Sequence, residues 1–287
     1  MTLRLLAFVA LVAAIAAPAW AEPPVWVVKD ADSEMVLFGS VHILPPGLDW
    51  RPTRLDVALA RAEDVWFELP VGPVTDQDVG RLAAASGILP PDQSLFKLLP
   101  PDDSERLLRL ARAYGADPAN LARLEPWLAE VALAGAVFAK AGAETGHGVE
   151  AVLNASAPSG ARRRALETPA EQIDLFDQTP MADQIASLHA SLVDLEADPD
   201  GYINLVRAWM AGDPAVLDRE ALAPLRAASP TLFRRLVTER NARWTTDLDA
   251  RLKGRGRTVV VVGVGHLIGP DGVPARLRAL GYSVTGP

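Results

Sequence analysis

The chain has 287 residues, 49% of them hydrophobic, a formal charge of −8 and no cysteine. That length buries an ample core, and the acidic balance without a basic tract argues against nucleic acid or an anionic membrane surface as a partner. Without cysteine there is no thiol nucleophile, thiolate ligand or disulfide, so any metal would have to be held by histidine and carboxylate oxygen.

Arg4, the apolar run Leu5 to Ala17, Pro18 and Ala19-Trp20-Ala21 have the n-region, h-region and A-x-A cleavage site of a secretory signal. The run is too short to span a bilayer comfortably. Cleavage after Ala21 is expected to release residues 22–287 into a bacterial periplasm with no stable membrane insertion, as one domain with a helical insertion over about residues 76–157.

Val25 to Lys29 and Met35 to Phe38 read as strands joined by a hairpin through Asp30-Ala31-Asp32-Ser33. The second runs into Gly39-Ser40-Val41-His42. A helix is expected from about Thr53 to Glu63, then a strand Val65 to Leu69 stopped by Pro70. Glu68 interrupts that strand, and a buried carboxylate is costly unless paired, hydrogen-bonded or metal-bound. The alternative is an edge strand with Glu68 facing water. Ala- and Leu-rich helices follow, broken at Pro90-Pro91, Pro100-Pro101 and Gly115-Ala116-Asp117-Pro118. His147 sits in a turn, Gly146-His147-Gly148, and His189 in a polar helical stretch; both read as ordinary. Glu150 is either a first-turn helix acid or a site residue.

A strand returns at Arg163 to Glu167, and Thr168-Pro169-Ala170-Glu171 has the form of a capping box with proline at the first helical position. Glu167 either shares the rim of a site or serves that helix N-terminus. A helix from Thr231 to Lys253 carries Arg240 and Asn241 within its apolar stripe, where they need partners: substrate, or a buried carboxylate. Arg240 reaching to solvent along its stem is the plain alternative. Thr258 to Val262 is the last buried strand, and a helix from Val273 with a short edge strand ends the chain.

The phrase Val36-Leu37-Phe38-Gly39-Ser40-Val41-His42-Ile43-Leu44 recurs without a gap as Val260-Val261-Val262-Gly263-Val264-Gly265-His266-Leu267-Ile268. A short apolar run ending at glycine is a buried strand ending there. Each histidine then stands beyond the carboxyl end of its strand, where open α/β sheets bind ligands. Two such strands side by side bring both imidazoles to one crevice; the plainer reading is that each merely caps its strand. The chain lacks a Gly-x-Ser-x-Gly elbow, a P-loop, a His-Glu-x-x-His helix and the third glycine of a dinucleotide fingerprint.

These elements resemble the TraB/PrgY/GumN family, to which the Tiki metalloproteases are related, over nearly the whole chain beyond the signal. The resemblance rests on Gly39-Ser40-Val41-His42, Glu68, Leu166-Glu167-Thr168 with Gln172, Arg240-Asn241, and Gly263-Val264-Gly265-His266-Leu267 with Gly269. It implies a fold shared with erythromycin esterase-like and ChaN-like proteins: a mixed, largely parallel central sheet flanked by helices, with a helical insertion. It also implies a metal-dependent hydrolase of peptidase type acting on a peptide or small-molecule substrate. His42, His266 and Glu68 would be the catalytic residues and would bind divalent Mn, Co, Zn or Fe, with Glu68 as ligand or general base. Ser40, Glu167, Arg240 and Asn241 would contact substrate. A metal-free esterase-like hydrolase with a histidine base, a non-catalytic periplasmic module for a peptide or iron-containing ligand, and a structural accessory of envelope assembly are the alternatives.

Overall fold

The computed structural model describes residues 22–287; the expected secretion signal, residues 1–21, lies outside them. Val25–Lys29 (β1) and Ser33–Ser40 (β2) form the hairpin, with Val28 across from Met35. Its turn is held by the Asp30 carboxylate, which accepts from the backbone N–H groups of Asp32 and Ser33 at 3.1 and 2.7 Å, the local bonding that makes aspartate a turn residue. Asp64–Phe67 (β3), Arg162–Ala165 (β4), Gly256–Gly263 (β5) and Ser283–Thr285 (β6) complete a six-stranded sheet in the order β4-β3-β5-β2-β1-β6. β4, β3, β5 and β2 are mutually parallel; at one side β1 pairs antiparallel with β2, and β6 antiparallel with β1. The fold is therefore α/β, with a mixed, mostly parallel sheet flanked by helices.

The central position of β5 follows from its composition. Val259, Val260, Val261 and Val262 are all fully buried, as a strand covered on both faces requires, and each such side chain contributes about 1.5–3 kcal/mol on burial. β5 pairs with β2 so that Phe38 lies beside Val261, Gly39 beside Val262 and Ser40 beside Gly263. The two copies of the repeated phrase are thus neighbours, but one residue out of step. Successive residues of a strand face opposite sides, so equivalent positions of the two copies face opposite sides of the sheet.

Strand limits differ from the sequence reading in a way that matters. β3 ends at Phe67 rather than Leu69, and β4 ends at Ala165 rather than Glu167. Glu68 and Glu167 therefore lie just past strand ends, as His42 and His266 do after β2 and β5. All four parallel strands deliver a titratable residue to the same edge. At the opposite edge Asp64, fully buried, accepts from Arg162 at 2.8 Å and Arg251 at 3.0 Å, and these pairs, overcoming the cost of burial, hold its carboxyl below the usual range.

Helices Pro73–Ser86, Pro101–Tyr114, Pro126–Lys140 and Val149–Ser156 connect β3 to β4, and the first three begin with proline, which suits a position whose N–H has no helical partner. Side chains from this region and from helix Met181–Ala197 form their own buried cluster, including Leu95, Leu107, Leu133, Leu188 and Leu192. The sheet's cluster is separate and holds Phe38, Trp50, Trp209 and Trp244. The capping box is present: Thr168 Oγ1 accepts from Glu171 N, and Thr168 N donates to Glu171 Oε2 at 2.8 Å. The expected helix from Thr231 to Lys253 is not uniform. It runs as Pro230–Phe233, a π-helical stretch Arg234–Glu239, then Arg240–Leu252. Among the described residues no helix is long and apolar enough to cross a membrane.

Candidate functional site

β2 and β5 end side by side, and their loops place His42 and His266 around Gly263. A Cβ on Gly263 would stand 3.2 Å from Glu68 Oε1, 3.5 Å from His42 Nε2 and 3.7 Å from His266 Cδ2. The residue's lack of a side chain keeps open a cradle that these three groups share. Glu68 is 7% exposed and follows a strand flanked by β4 and β5, so the edge-strand alternative does not hold.

Glu68 is fully engaged. Oε1 accepts from the Gly263 N–H at 2.6 Å, and Oε2 accepts from Arg240 Nη2 at 2.6 Å. Burial pushes its carboxyl up, but Arg240 beside it, with the histidines and the Gly263 amide, wins and brings it down to about 2. Arg240 is itself buried. Its Nε donates to Glu167 at 2.9 Å, Nη2 also reaches Glu167 at 2.8 Å, and Nη1 donates to Leu236 O at 3.1 Å and to His266 Nε2 at 2.9 Å. Glu167 takes further bonds from Arg243 and from Trp244 Nε1.

His266 is buried with its ring 4.4 Å from that of Trp244. Its Nδ1 lies 2.7 Å from Asn241 Oδ1, while Asn241 Nδ2 donates to Asp271 O at 2.9 Å. An amide oxygen only accepts, so Nδ1 carries the proton and Nε2 receives the Arg240 bond: the ring is the neutral Nδ1–H form. Burial, reinforced by Arg240 and His42, lowers its pKa to about 3.

His42 differs on every count. Its side chain is 63% exposed, and Nδ1 donates to Glu150 Oε1 at 2.7 Å. Ser40 Oγ donates to the same oxygen at 2.5 Å. Glu150 raises the His42 pKa to about 9 against the opposing charge of Arg240. The His42 Nε2 atom is the ring nitrogen of the pair that no described residue occupies. Behind this loop, Trp209 Nε1 donates to Gly39 O at 2.8 Å, and Tyr202 donates to Ile43 O at 2.8 Å. Tyr202 also lines an apolar cavity of about 560 Å³ with Pro45, Leu48, Ile203, Val206 and Met210, beside the first loop rather than on the cradle.

The seven residues singled out from sequence thus meet in one cluster, in which only His42 is open to solvent. Ser40, Glu167, Arg240 and Asn241, expected to contact substrate, are buried with their polar atoms bonded within the cluster. The physical reason is satisfaction of buried charge: Arg240 has a partner for each of its donor nitrogens, and Glu68 and Glu167 have Arg240. His147 and His189 stand apart; His147 lies near Glu144, and His189 pairs with Asp103 at 2.8 Å in the helical region. Glu150, which sequence left open between two roles, belongs to the cluster.

The fit of a divalent metal turns on Arg240. Both rings are held at Nδ1 by an oxygen, the usual second-sphere support for a metal-bound imidazole. Glu68 and the His266 Nε2 atom, however, already bond to the guanidinium, so a cation on all three donors has to displace it. Among the described residues no group of three or more His, Cys, Asp or Glu side chains is arranged to hold a metal ion.

Comparison with known proteins matches residues 24–286 to the model of the TraB/PrgY/gumN family. The chain is also similar to an uncharacterized protein of Treponema pallidum (strain Nichols), 31% identical over 182 residues, which is 59% of this chain and 54% of that relative. The match therefore spans about half the length of the curated relative. No solved structure matches.

Proposed function

The chain belongs to the TraB/PrgY/gumN family, and from that premise we propose that it is an exported hydrolase of acyl bonds, peptide or ester, working by acid–base chemistry at the Gly263 cradle. One observation carries this reading: two histidines of the same motif face one cradle with opposed electrostatics, His42 open and held basic by a carboxylate, His266 buried and neutral. Environments that drive a pair of titratable groups apart are the signature of assigned proton-transfer roles.

His42 Nε2 takes the proton of an attacking water lodged against the cradle, and the imidazolium then returns it to the leaving group. Glu150 stabilises that imidazolium. Glu68 and His266, fixed by Arg240, Asn241 and the Gly263 amide, form the polar wall against which the water and the scissile carbonyl are oriented. Arg240, bonded to both Glu68 and Glu167, offsets the negative charge of that wall and holds it in place. The apolar cavity beside the first loop suits an apolar substrate side chain.

A metal-assisted form is the second reading, favoured by the Nδ1 bonds that Glu150 and Asn241 make. His42, His266 and Glu68 would hold Mn, Co, Zn or Fe, and the metal would supply Lewis-acid polarisation of the carbonyl. Turnover of a peptide and ester library by residues 22–287, with and without chelator, tests both. Chelator-resistant activity lost in His42→Ala supports the acid–base reading. Activity restored by one metal, with calorimetric binding lost on substituting both histidines, moves the assignment to the metal form. Stoichiometric ligand retention without product leaves a binding module and sinks the hydrolase.

A further inference from the structure

The helical segment that precedes β4 grips the first motif loop at several points. Glu144 N donates to Leu44 O at 3.0 Å, and Val149 N donates to Val41 O at 3.2 Å, so backbone bonds bracket His42 on both sides. Between them Gly148 lies against His42 so closely that a Cβ there would fall 1.9 Å from its carbonyl oxygen. Glu150, in the first turn of helix Val149–Ser156, then meets Ser40 Oγ and His42 Nδ1 with the same oxygen.

Simple satisfaction of a buried carboxylate does not account for this arrangement. An acid in a first turn has its own helix N–H groups to bond. Glu150 takes its own backbone N–H and also reaches 108 residues back along the chain to a ring that is open to solvent. Ser40 holds the carboxylate oxygen from β2 itself, which fixes where His42 Nδ1 must point. The second loop meets the same need by other means. There Asn241, from a helix on the other side of the sequence, takes His266 Nδ1. Two unrelated elements each bind one ring at Nδ1; Nε2 of His42 is left toward Gly263, while Nε2 of His266 takes the Arg240 bond.

We infer that Glu150 is a positioning residue, anchored by Ser40 and seated by Gly148, that orients the His42 ring through Nδ1–H so that Nε2 faces the Gly263 cradle. Its catalytic consequence rests on the hydrolase reading, since a ring free to turn leaves the reacting geometry, and a misplacement of about 1 Å can cost about 10²-fold in rate. The orientation itself does not.

The test is nuclear magnetic resonance of the protein carrying [¹⁵N]histidine, with wild type compared to Glu150→Ala and Glu150→Gln. In wild type the Nδ1-bound protons of His42 and His266 are each protected by a bond to oxygen. Glu150→Ala loses the His42 proton signal to solvent exchange and leaves that of His266 in place, which also certifies the fold. Glu150→Gln keeps an acceptor oxygen, so the His42 signal persists but shifts, and His266 again does not move. A protected His42 signal in folded Glu150→Ala, or an unshifted one in Glu150→Gln, overturns the inference. No turnover enters the measurement, so its failure is distinct from failure of the hydrolase reading.

Discussion

The loops after β2 and β5 carry the same phrase and end in the same residue, yet His42 lies open beside a carboxylate and His266 lies buried between an amide, an indole and a guanidinium. The one-residue stagger of β2 against β5 puts equivalent positions on opposite sides of the sheet. Repetition of a motif therefore fixes where a side chain arrives, while the elements packed around it fix what that side chain can do. Glu150 comes from the helical region and Asn241 from the helix before β5.

The comparison breaks hardest at Arg240, which holds the second loop's surroundings together. Arg240→Leu leaves Glu68 and Glu167 buried without their shared cation, and removal of one partner from such a cluster costs about 3–5 kcal/mol. Urea unfolding is the measurement, and a loss below about 1 kcal/mol would show that the carboxylates find other partners.

Two glycines sharpen the contrast at smaller scale. Gly148→Ala drives a Cβ onto the backbone carbonyl of His42, which has no flexible end to move aside, and is expected to cost about 1–3 kcal/mol, as overpacking does. Gly263→Ala meets only side-chain atoms, at 3.2 Å and beyond. It should unfold at a higher urea concentration than Gly148→Ala and, on the hydrolase reading, abolish turnover, because the cradle is filled.

The pH dependence of stability should carry opposite signs for the two histidines. His266 is lowered to about 3 and Glu68 to about 2 when folded. Both bind fewer protons than in the unfolded chain, so their contributions are present at neutral pH. The His266 contribution is lost as pH falls from about 6.5 toward 3, and that of Glu68 below about 4.5 toward 2. His42, raised to about 9, contributes fully below about 6.5 and loses that contribution as pH climbs through 9. Urea midpoints followed across pH should show a flatter acid limb for His266→Gln and a flatter alkaline limb for His42→Gln. Identical limbs would mean that the two environments are not distinct in solution. If His42 is the base, kcat/KM in wild type rises with pH up to about 9, and Glu150→Gln shifts that rise toward the ordinary histidine range.

Far from both loops, Thr168→Ala removes one side of a capping box and should cost about 1 kcal/mol without altering either histidine. Thermal unfolding with the histidine resonances as reporters checks both parts.

Much of this was legible in the chain. The doubled strand-glycine-histidine phrase gave away the neighbouring strands, since only buried strands read as Val259 to Val262 do. Glu68 and the Arg240-Asn241 pair stood out as polar residues in apolar settings, and buried polar groups find one another. What stayed hidden depends on contacts that no local pattern encodes. Glu150 sits where an acid is ordinary for a helix start, and only the fold brings it to His42. The stagger of β2 on β5 leaves no trace in either strand. Nor does the π-helical stretch before Arg240, because its residues keep an apolar spacing compatible with a regular helix.

That stretch has a consequence for how the site is built. Leu232 and Leu236 line a cavity with Trp127 and with Phe176 of helix Pro169–Asp177, while Phe233 and Val237 join Trp244, Leu248 and Leu252 in the core of the sheet. Each residue of an α-helix turns the next by about 100°, and a wider turn at Arg234–Glu239 resets that phase. The rod therefore keeps a stripe on the sheet's core on both sides of the wide turn, with Arg240 as the first residue after it. Regular winding of the same residues over 234–239 would keep every member of the cluster in the sequence and still rotate the guanidinium out of its place, a reading-frame error written in three dimensions.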